Sequence, residues 1–324
     1  MVVATWMSSQ GGGHGPYRTR ALKRRNFIRN TGLAAGFTAM AGPFVYAGSK
    51  PPAKTPFRMH FAPHLGMFRQ HAGEDPLDQL AFMADQGFRA FEDNEMKKRP
   101  VALQEKMGQM LADQGMQMGV FVAHTISWTK PNLASGDPIL RDRFLDEIKA
   151  SVGVAKRVGA TWMTVVPGHM DLSQSLGYQT SHVVETLKRA RDILEPEDLV
   201  MVLEPLNFRD HPGLFLSRSP QAYQICRAVD SPSCKILFDI YHQQIQEGNL
   251  IPNIDSCWDE IAYFQVGDNP GRNEPGTGEI NYLNVFKFIH SRGYNGVLGM
   301  EHGNSSPGKE GETAVIEAYR RVDA

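Results

Sequence analysis

The chain has 324 residues, 41% of them hydrophobic and 21% charged, with 34 basic against 35 acidic side chains and a formal net charge of −1. That is ordinary globular composition, and without a basic run in the body of the chain it offers no footprint for nucleic acid. No apolar run beyond the first 47 residues approaches the ~20 residues needed to span a bilayer.

The chain opens with a segment of its own kind. Lys23-Arg24-Arg25-Asn26-Phe27-Ile28-Arg29 sets paired arginines before a hydrophobic position and a further base, and a weakly apolar stretch from Gly32 to Ala47 follows. This is the layout of a twin-arginine export signal with small-residue cleavage after Ala47. The apolar part is ~16 residues, interrupted by glycines and Pro43, too short for a stable membrane anchor. The expectation is therefore a cleaved leader over 1–47, recognised by the twin-arginine export machinery, and a periplasmic or otherwise exported domain over 48–324. The leader holds six bases (Arg18, Arg20, Lys23, Arg24, Arg25, Arg29) and no acid, so the remainder carries 28 basic and 35 acidic residues and is net acidic by seven.

From residue 57 a phrase repeats: a short apolar run, a polar loop, a helical stretch. The runs 57–62, 88–91, 116–122, 161–166, 199–204, 235–240, 261–266 and 296–301 read as strands, each too short and too continuously apolar for a surface helix. Between them, 76–86, 101–114, 139–158, 179–194, 220–229 and 281–291 read as helices, with a last one over 311–322 and weaker helical segments over 243–249 and 251–258. Eight strands alternating with helices predict an α/β fold, a closed (β/α)8 TIM barrel. An open doubly wound sheet is the competing fold, but no glycine-rich nucleotide fingerprint follows the first strand. Cys226, Cys234 and Cys257 lack metal-type spacing and cannot all pair, which is the pattern of buried free thiols.

In such barrels the chemistry sits where strands give way to the loops that follow them. Glu204 closes the fifth run, Asp239 and His242 the sixth, Gln265 the seventh and Glu301 the eighth. The second ends at Glu92 and the third at His124. A carboxylate ending an apolar strand faces a large desolvation cost unless it is paired or holds a cation. One alone would be an unremarkable helix cap. Three, with an amide oxygen beside them, form a four-oxygen set suited to a hard divalent cation such as Mg²⁺ or Mn²⁺. A buried carboxylate network satisfied by Arg272 or by lysines would use the same residues. Trp128 and Trp162 read as packing residues, and His60 and His64 as pocket-lining or capping groups.

The longest polar loop follows the seventh strand, and it carries a resemblance. Glu204-Pro205-Leu206-Asn207, Phe238-Asp239-Ile240-Tyr241-His242-Gln243 and the run Asp268 to Tyr282 (DNPGRNEPGTGEINY) resemble the hydroxypyruvate isomerase family of the xylose-isomerase-like TIM barrels, a group that also includes ketose 3-epimerases. The resemblance implies metal ligation by Glu204, Asp239, Gln265 and Glu301, with Glu204 and Glu301 as the acid–base pair and His242 and Arg272 contacting substrate. The implied reaction moves a proton between the carbons of an α-hydroxy carbonyl, as between hydroxypyruvate and tartronate semialdehyde. Its partner is a small sugar or hydroxy-keto acid, and a homo-oligomer is compatible with it. Because those metabolites are usually cytoplasmic, export leaves open an exported ketose epimerase, another keto-sugar isomerase, or a sugar-acid binding protein without turnover.

Export has a direct test. Replacing Arg24 and Arg25 together by lysine is expected to leave the protein in the cytoplasm with its leader uncut, read by fractionation and mass of the chain. Normal delivery of the shortened form would remove the export reading.

Overall fold

The structure, a computed structural model, describes residues 54–324. The leader expected over 1–47 lies outside the described residues.

Eight short parallel strands form the frame: β1 (His60–Ala62), β2 (Ala90–Phe91), β3 (Gln117–Met118), β4 (Trp162–Val165), β5 (Val200–Leu203), β6 (Cys234–Asp239), β7 (Ile261–Gln265) and β8 (Val297–Gly299). Six are joined in the order β1-β8-β7-β6-β5-β4, and β2 pairs with β3. Two parallel bridges close the ring, His64 to Glu92 between the ends of β1 and β2, and Val122 to Thr164 between β3 and β4. The result is the expected (β/α)8 barrel, and among the described residues the bridges leave no sheet edge unpaired.

Among the described residues ten α-helices surround it: α1 (Arg69–Ala72), α2 (Pro76–Asp85), α3 (Val101–Gln114), α4 (Pro138–Val158), α5 (Leu176–Leu194), α6 (Ser219–Val229), α7 (Ile240–Gln246), α8 (Leu250–Ser256), α9 (Tyr282–Ser291) and α10 (Gly308–Val322). Two of the longer ones begin where the sequence supplies a full start signal. Asp75 and Asp137 cap α2 and α4 through their side chains, each followed by a proline at the first helical position. The strands are shorter than the apolar runs suggested, because the pairing ends while the apolar pattern continues. The weak helical segment expected over 243–249 starts earlier, at Ile240, where Asp239 accepts a hydrogen bond from the His242 N–H and caps α7. Asp239 is thus a cap as well as a strand-end carboxylate.

Side chains alternate between two apolar layers. Phe61, Phe91, Met201, Leu203, Phe238, Phe264 and Leu298 face the helices. Ala62, Ala90, Val120, Val202, Leu237, Tyr263 and Val297 fill the barrel. All three cysteines are free and buried.

The loop after β7 is held from inside. Asp268, fully buried, accepts hydrogen bonds from four backbone N–H groups: those of Asn269 and Ile280 on Oδ1 (2.9 and 3.1 Å) and those of Gly276 and Gly278 on Oδ2 (2.8 and 2.9 Å). Gly278 has to be glycine, since a Cβ there would lie 2.3 Å from the Asn269 carbonyl and 2.6 Å from Asp268 Oδ1. Glu274 is buried too, and takes hydrogen bonds from the Ser305 N–H and hydroxyl. The glycines, asparagines and acids of this stretch therefore build a rigid platform.

Removing the Asp268 carboxylate strands four donors. Each unsatisfied buried group costs about 1–3 kcal/mol before water enters. Asp268→Ala is expected to lower unfolding stability by about 3 kcal/mol or more in a urea titration. A loss below about 1 kcal/mol would mean that the loop is held by something else.

Candidate active site

The alternation of the strands decides which residues meet. Val202 and Leu237 point into the barrel, so two residues on, Glu204 and Asp239 point the same way. The same parity carries Tyr263 to Gln265 and Val297 through Gly299 to Glu301. Register then aligns the set across the sheet, with Asp239 opposite Gln265 and Gln265 opposite Gly299. Glu204, Asp239 and Gln265 are buried at 7%, 1% and 1% exposure, and Glu301 is partly buried.

One guanidinium joins these carboxylates. Arg272 Nη2 donates to Glu301 Oε2 at 2.7 Å and to Asp239 Oδ2 at 3.3 Å, while its Nε donates to the Glu301 carbonyl at 3.1 Å. Its ring neighbour is Tyr241, whose centroid lies 4.8 Å from the guanidinium carbon. Asn94 donates to the other Glu301 oxygen at 2.9 Å. The expected fork for a substrate carboxylate is thus already engaged with protein carboxylates through one of its arms.

His242 is buried beside them, its Nε2 3.6 Å from Asp239 Oδ2 and 3.9 Å from Glu204 Oε1. Its tautomer follows from its other nitrogen. Nδ1 faces the Asn207 backbone N–H at 3.3 Å and the Asn207 side-chain nitrogen at 2.7 Å. Asn207 Oδ1 is occupied by the Arg209 and Asp210 N–H groups, which fixes the amide orientation. Nδ1 therefore accepts. Burial holds the ring neutral, pushing its pKa down to about 4, so the single proton sits on Nε2, aimed at the carboxylates without a hydrogen-bond partner.

Glu92 completes the cluster, although no motif in the sequence assigns it a role. It lies two residues beyond inward-facing Ala90, the spacing that also yields Glu204 from Val202, and this parity is the signal that would have found it. Its Oε1 accepts from Gln265 Nε2 at 2.9 Å and its Oε2 from the Tyr263 hydroxyl at 2.7 Å. Gly299 makes the room: a Cβ there would sit 1.8 Å from Glu92 Oε2. Because Gln265 spends its amide nitrogen on Glu92, its Oε1 is left buried without a partner.

Other residues fall away from the site. His60 begins β1, at the opposite end of the barrel, and contacts Gln117. His64 sits at the mouth, held by the Leu65 and His302 carbonyls. His124 packs edge-on against Phe144 and accepts from the Val166 N–H, a link between neighbouring strand ends. Trp162 packs on Tyr263 as expected, but Trp128 does not belong to the core. It is 46% exposed and stacks on His211, which in turn lies against His242.

The electrostatics follow from burial. Glu204 is pushed well above the usual carboxylate range by burial and then by Glu301 and Asp239. Glu301 is pushed up to about 7 by burial, with Arg272 pulling against it. Glu92 rises to about 8, by burial and then the charge of Glu301. Such a cluster suits a cation. Glu204, Asp239 and His242 bring potential ligand atoms within 4.8 Å of one another. With its proton on Nε2, His242 is a donor in this arrangement. Gln265, opposite Asp239 in the sheet, adds a buried oxygen without a partner, and carboxylate and amide oxygens of this kind suit a hard divalent ion.

A (β/α)8 barrel that gathers ionisable groups of shifted pKa at the carboxyl ends of its strands is the framework of a catalytic barrel. Residues 80–322 match the family described as xylose isomerase-like TIM barrel. Hydroxypyruvate isomerase of Escherichia coli K12 is 34% identical over 194 residues, 56% of this chain and 75% of that one. A 2-oxo-tetronate isomerase of Cupriavidus necator is 28% identical over 249 residues, covering 75% of this chain and 92% of its own. Among solved structures, an AP endonuclease, family 2, from Brucella melitensis superposes with a TM-score of 0.71 over 82% of this chain and 100% of that one, at 21% identity, a likeness of fold alone. The chain belongs to the xylose isomerase-like TIM barrel family, with hydroxypyruvate and 2-oxo-tetronate isomerases among its homologues, and is an enzyme of the isomerase class.

The raised carboxyl of Glu92 has a consequence for stability. Its ordinary value is 4.5 and the folded value about 8, so the folded protein holds this proton more tightly than the unfolded chain. The stabilisation is complete below pH 4.5 and is lost as pH rises through 8. In EDTA, urea titrations are expected to show stability falling between pH 5 and 8. Glu92→Gln, which cannot titrate but still offers Gln265 an oxygen, should fall less steeply. Parallel slopes in the two proteins would remove Glu92 from the account.

Proposed function

We propose that the protein is a metal-dependent isomerase of α-hydroxy carbonyl compounds, of the type that interconverts hydroxypyruvate and tartronate semialdehyde. The observation that carries the reading is the meeting of Glu204 and Glu301, both of raised pKa, at one mouth with Asp239 and the partnerless oxygen of Gln265. The curated relatives named for hydroxypyruvate and 2-oxo-tetronate isomerisation support the substrate class.

In this reading Glu204, Asp239, Gln265 and Glu301 hold a divalent ion, Mg²⁺ or Mn²⁺. Once bound, the ion polarises the carbonyl and offsets the negative charge that develops on oxygen. The proton chemistry belongs to the chain. One glutamate takes the proton from the hydroxyl-bearing carbon, a carbon–carbon double bond forms, and the former carbonyl oxygen gains charge. The other glutamate returns a proton to the neighbouring carbon, and the hydroxyl proton passes from one oxygen to the other. The alcohol carbon is oxidised and the carbonyl carbon reduced, so no outside oxidant is needed. Without a metal, burial holds the Glu301 carboxyl up at about 7; a bound cation would lower it and favour the carboxylate form that acts as base.

The Nε2–H of His242 is placed to donate to a substrate oxygen lying between Asp239 and Glu204. Asn207 fixes its ring and tautomer, and Asp210 in turn holds Asn207 and the Tyr241 hydroxyl (3.0 and 2.9 Å). Arg272 contributes charge to the same space, held by the Asp268 platform. The basic, acid-free leader supports delivery of this enzyme by the twin-arginine route.

Turnover in D₂O tests the proton-transfer reading. Purified protein with Mn²⁺ should place deuterium on the carbon that receives the proton. Glu204→Gln and Glu301→Gln should each lose about 10²–10⁴-fold in rate, the usual worth of a general acid or base. Label-free product would mean that hydrogen passes directly between carbons. Near-normal rates in both variants would end the acid–base assignment.

A further inference from the structure

Among the described residues eight large hydrophobic side chains are exposed, and six of them gather on three consecutive connections of the barrel. Trp128 lies in the loop after β3, and Ile139 in the first turn of α4. Leu172 follows β4, Leu176 and Tyr178 open α5, and Phe208 lies in the loop after β5. The other two, Val101 and Leu283, stand in the first turns of α3 and α9.

Hydrogen bonds sew the three connections into one rim. Pro131 bridges to His169, and His169 to Leu214. Gln174 Nε2 donates to the Ser135 carbonyl at 2.9 Å, and the Met170 N–H to the Gly213 carbonyl at 2.9 Å. Trp128 stacks on His211 with 5.1 Å between centroids, and His211 lies 5.4 Å from the ring of His242. The rim is therefore continuous with one wall of the carboxylate mouth.

Single exposed apolar side chains are normal on a surface, but a gathered set marks a contact. These six are 46–83% exposed, which leaves roughly 600–800 Å² of side chain open. A stable protein–protein interface takes about 800 Å² from each partner and is enriched in Trp, Tyr and Phe, all three of which stand here.

Charge selects the partner. The body of the chain is net acidic by seven, so two copies repel except through a face where the signs balance. Around the six side chains stand three bases, Lys130, Arg141 and Arg209, and four acids whose oxygens are engaged within the chain. Asp137 caps α4, Asp142 pairs with Arg141 at 3.0 Å, Asp171 accepts from Ser173 and Gln174, and Asp210 from Asn207 and Tyr241. Such a face has no one-sided field to draw a strongly charged partner. It meets the requirement of a two-fold contact, a patch compatible with itself.

We propose that a second copy of this chain docks on this rim, in a two-fold pairing that buries the six side chains and seats the partner beside the Trp128–His211 wall of the mouth. The pairing is independent of which reaction the mouth performs.

Sedimentation equilibrium of the purified full chain, from dilute to concentrated, tests it. The expected mass is twice that of the monomer, falling toward the monomer on dilution. Leu172→Glu and Tyr178→Glu set carboxylates at positions 83% and 69% exposed, where folding is not threatened. Each should weaken self-association about 100-fold or more, the effect of like charges brought together in an apolar contact. Val101→Glu and Leu283→Glu, exposed but off the rim, should leave it unchanged. Amide hydrogen exchange on the wild-type protein needs no variant: residues 126–139, 170–178 and 206–211 should exchange more slowly in the concentrated sample than in the dilute one. A monomer at every concentration would overturn the proposal, even one that captures a different protein through the rim. So would a dimer that survives both rim substitutions, or concentration-dependent protection confined to other segments.

Discussion

Four carboxylates end inward-facing strand or loop positions at one mouth of this barrel, and they carry more negative charge than a buried site tolerates. Glu92, Glu204, Asp239 and Glu301 are pressed together where water is scarce, and a single guanidinium, Arg272, bridges two of them. Everything around them serves this concentration of charge. The Asp268 platform keeps Arg272 in place, Asn94 takes an oxygen of Glu301, and Tyr263 and Gln265 satisfy Glu92. Protons relieve part of the charge, which is why Glu92, Glu204 and Glu301 are all shifted upward. A bound divalent cation would relieve it more fully, and the same relief would free the carboxylates for proton transfer near neutral pH.

The arrangement separates two jobs that a simpler site would merge. Around the cluster, groups such as Asn207, Tyr263, Glu92 and Asp268 make hydrogen bonds whose effect is to fix which atom of a neighbour points inward. Gln265 shows the logic: its nitrogen is spent on Glu92, so only its oxygen is left to face the mouth. His242 shows it again, since two Asn207 donors on Nδ1 force the proton onto Nε2. Orientation set by neighbours is cheap here because the barrel wall is rigid and its interior closely packed. The loops after β2 and β3 join this network through Asn94, and a cavity of about 500 Å³ opens between them.

Much of this was legible in the chain. Apolar runs of strand length alternating with amphipathic stretches determined the (β/α)8 barrel, because each run must be buried on both faces and each helix on one. The same periodicity, followed past each run, determined that Glu204, Asp239, Gln265 and Glu301 turn inward at the carboxyl end. The same parity, taken from Ala90 across a strand of two residues, turns Glu92 inward as well. The glycines and acids of the loop after β7 announced a built segment, though not that Asp268 is its internal staple and Arg272 what it presents.

Tertiary structure alone decided the rest, since the relevant contacts join residues far apart in the chain and depend on side-chain direction. Nothing local told His60, at the foot of β1, from His64 at the mouth, or Trp162 in the barrel from Trp128 over His211. The tautomer of His242 depends on Asn207, 35 residues earlier, and the orientation of Gln265 on Glu92, 173 residues earlier. Periodicity determines which face a residue takes, a property of the strand by itself. Which atom it presents, and to whom, is a property of the neighbours that the closed barrel brings within hydrogen-bonding distance.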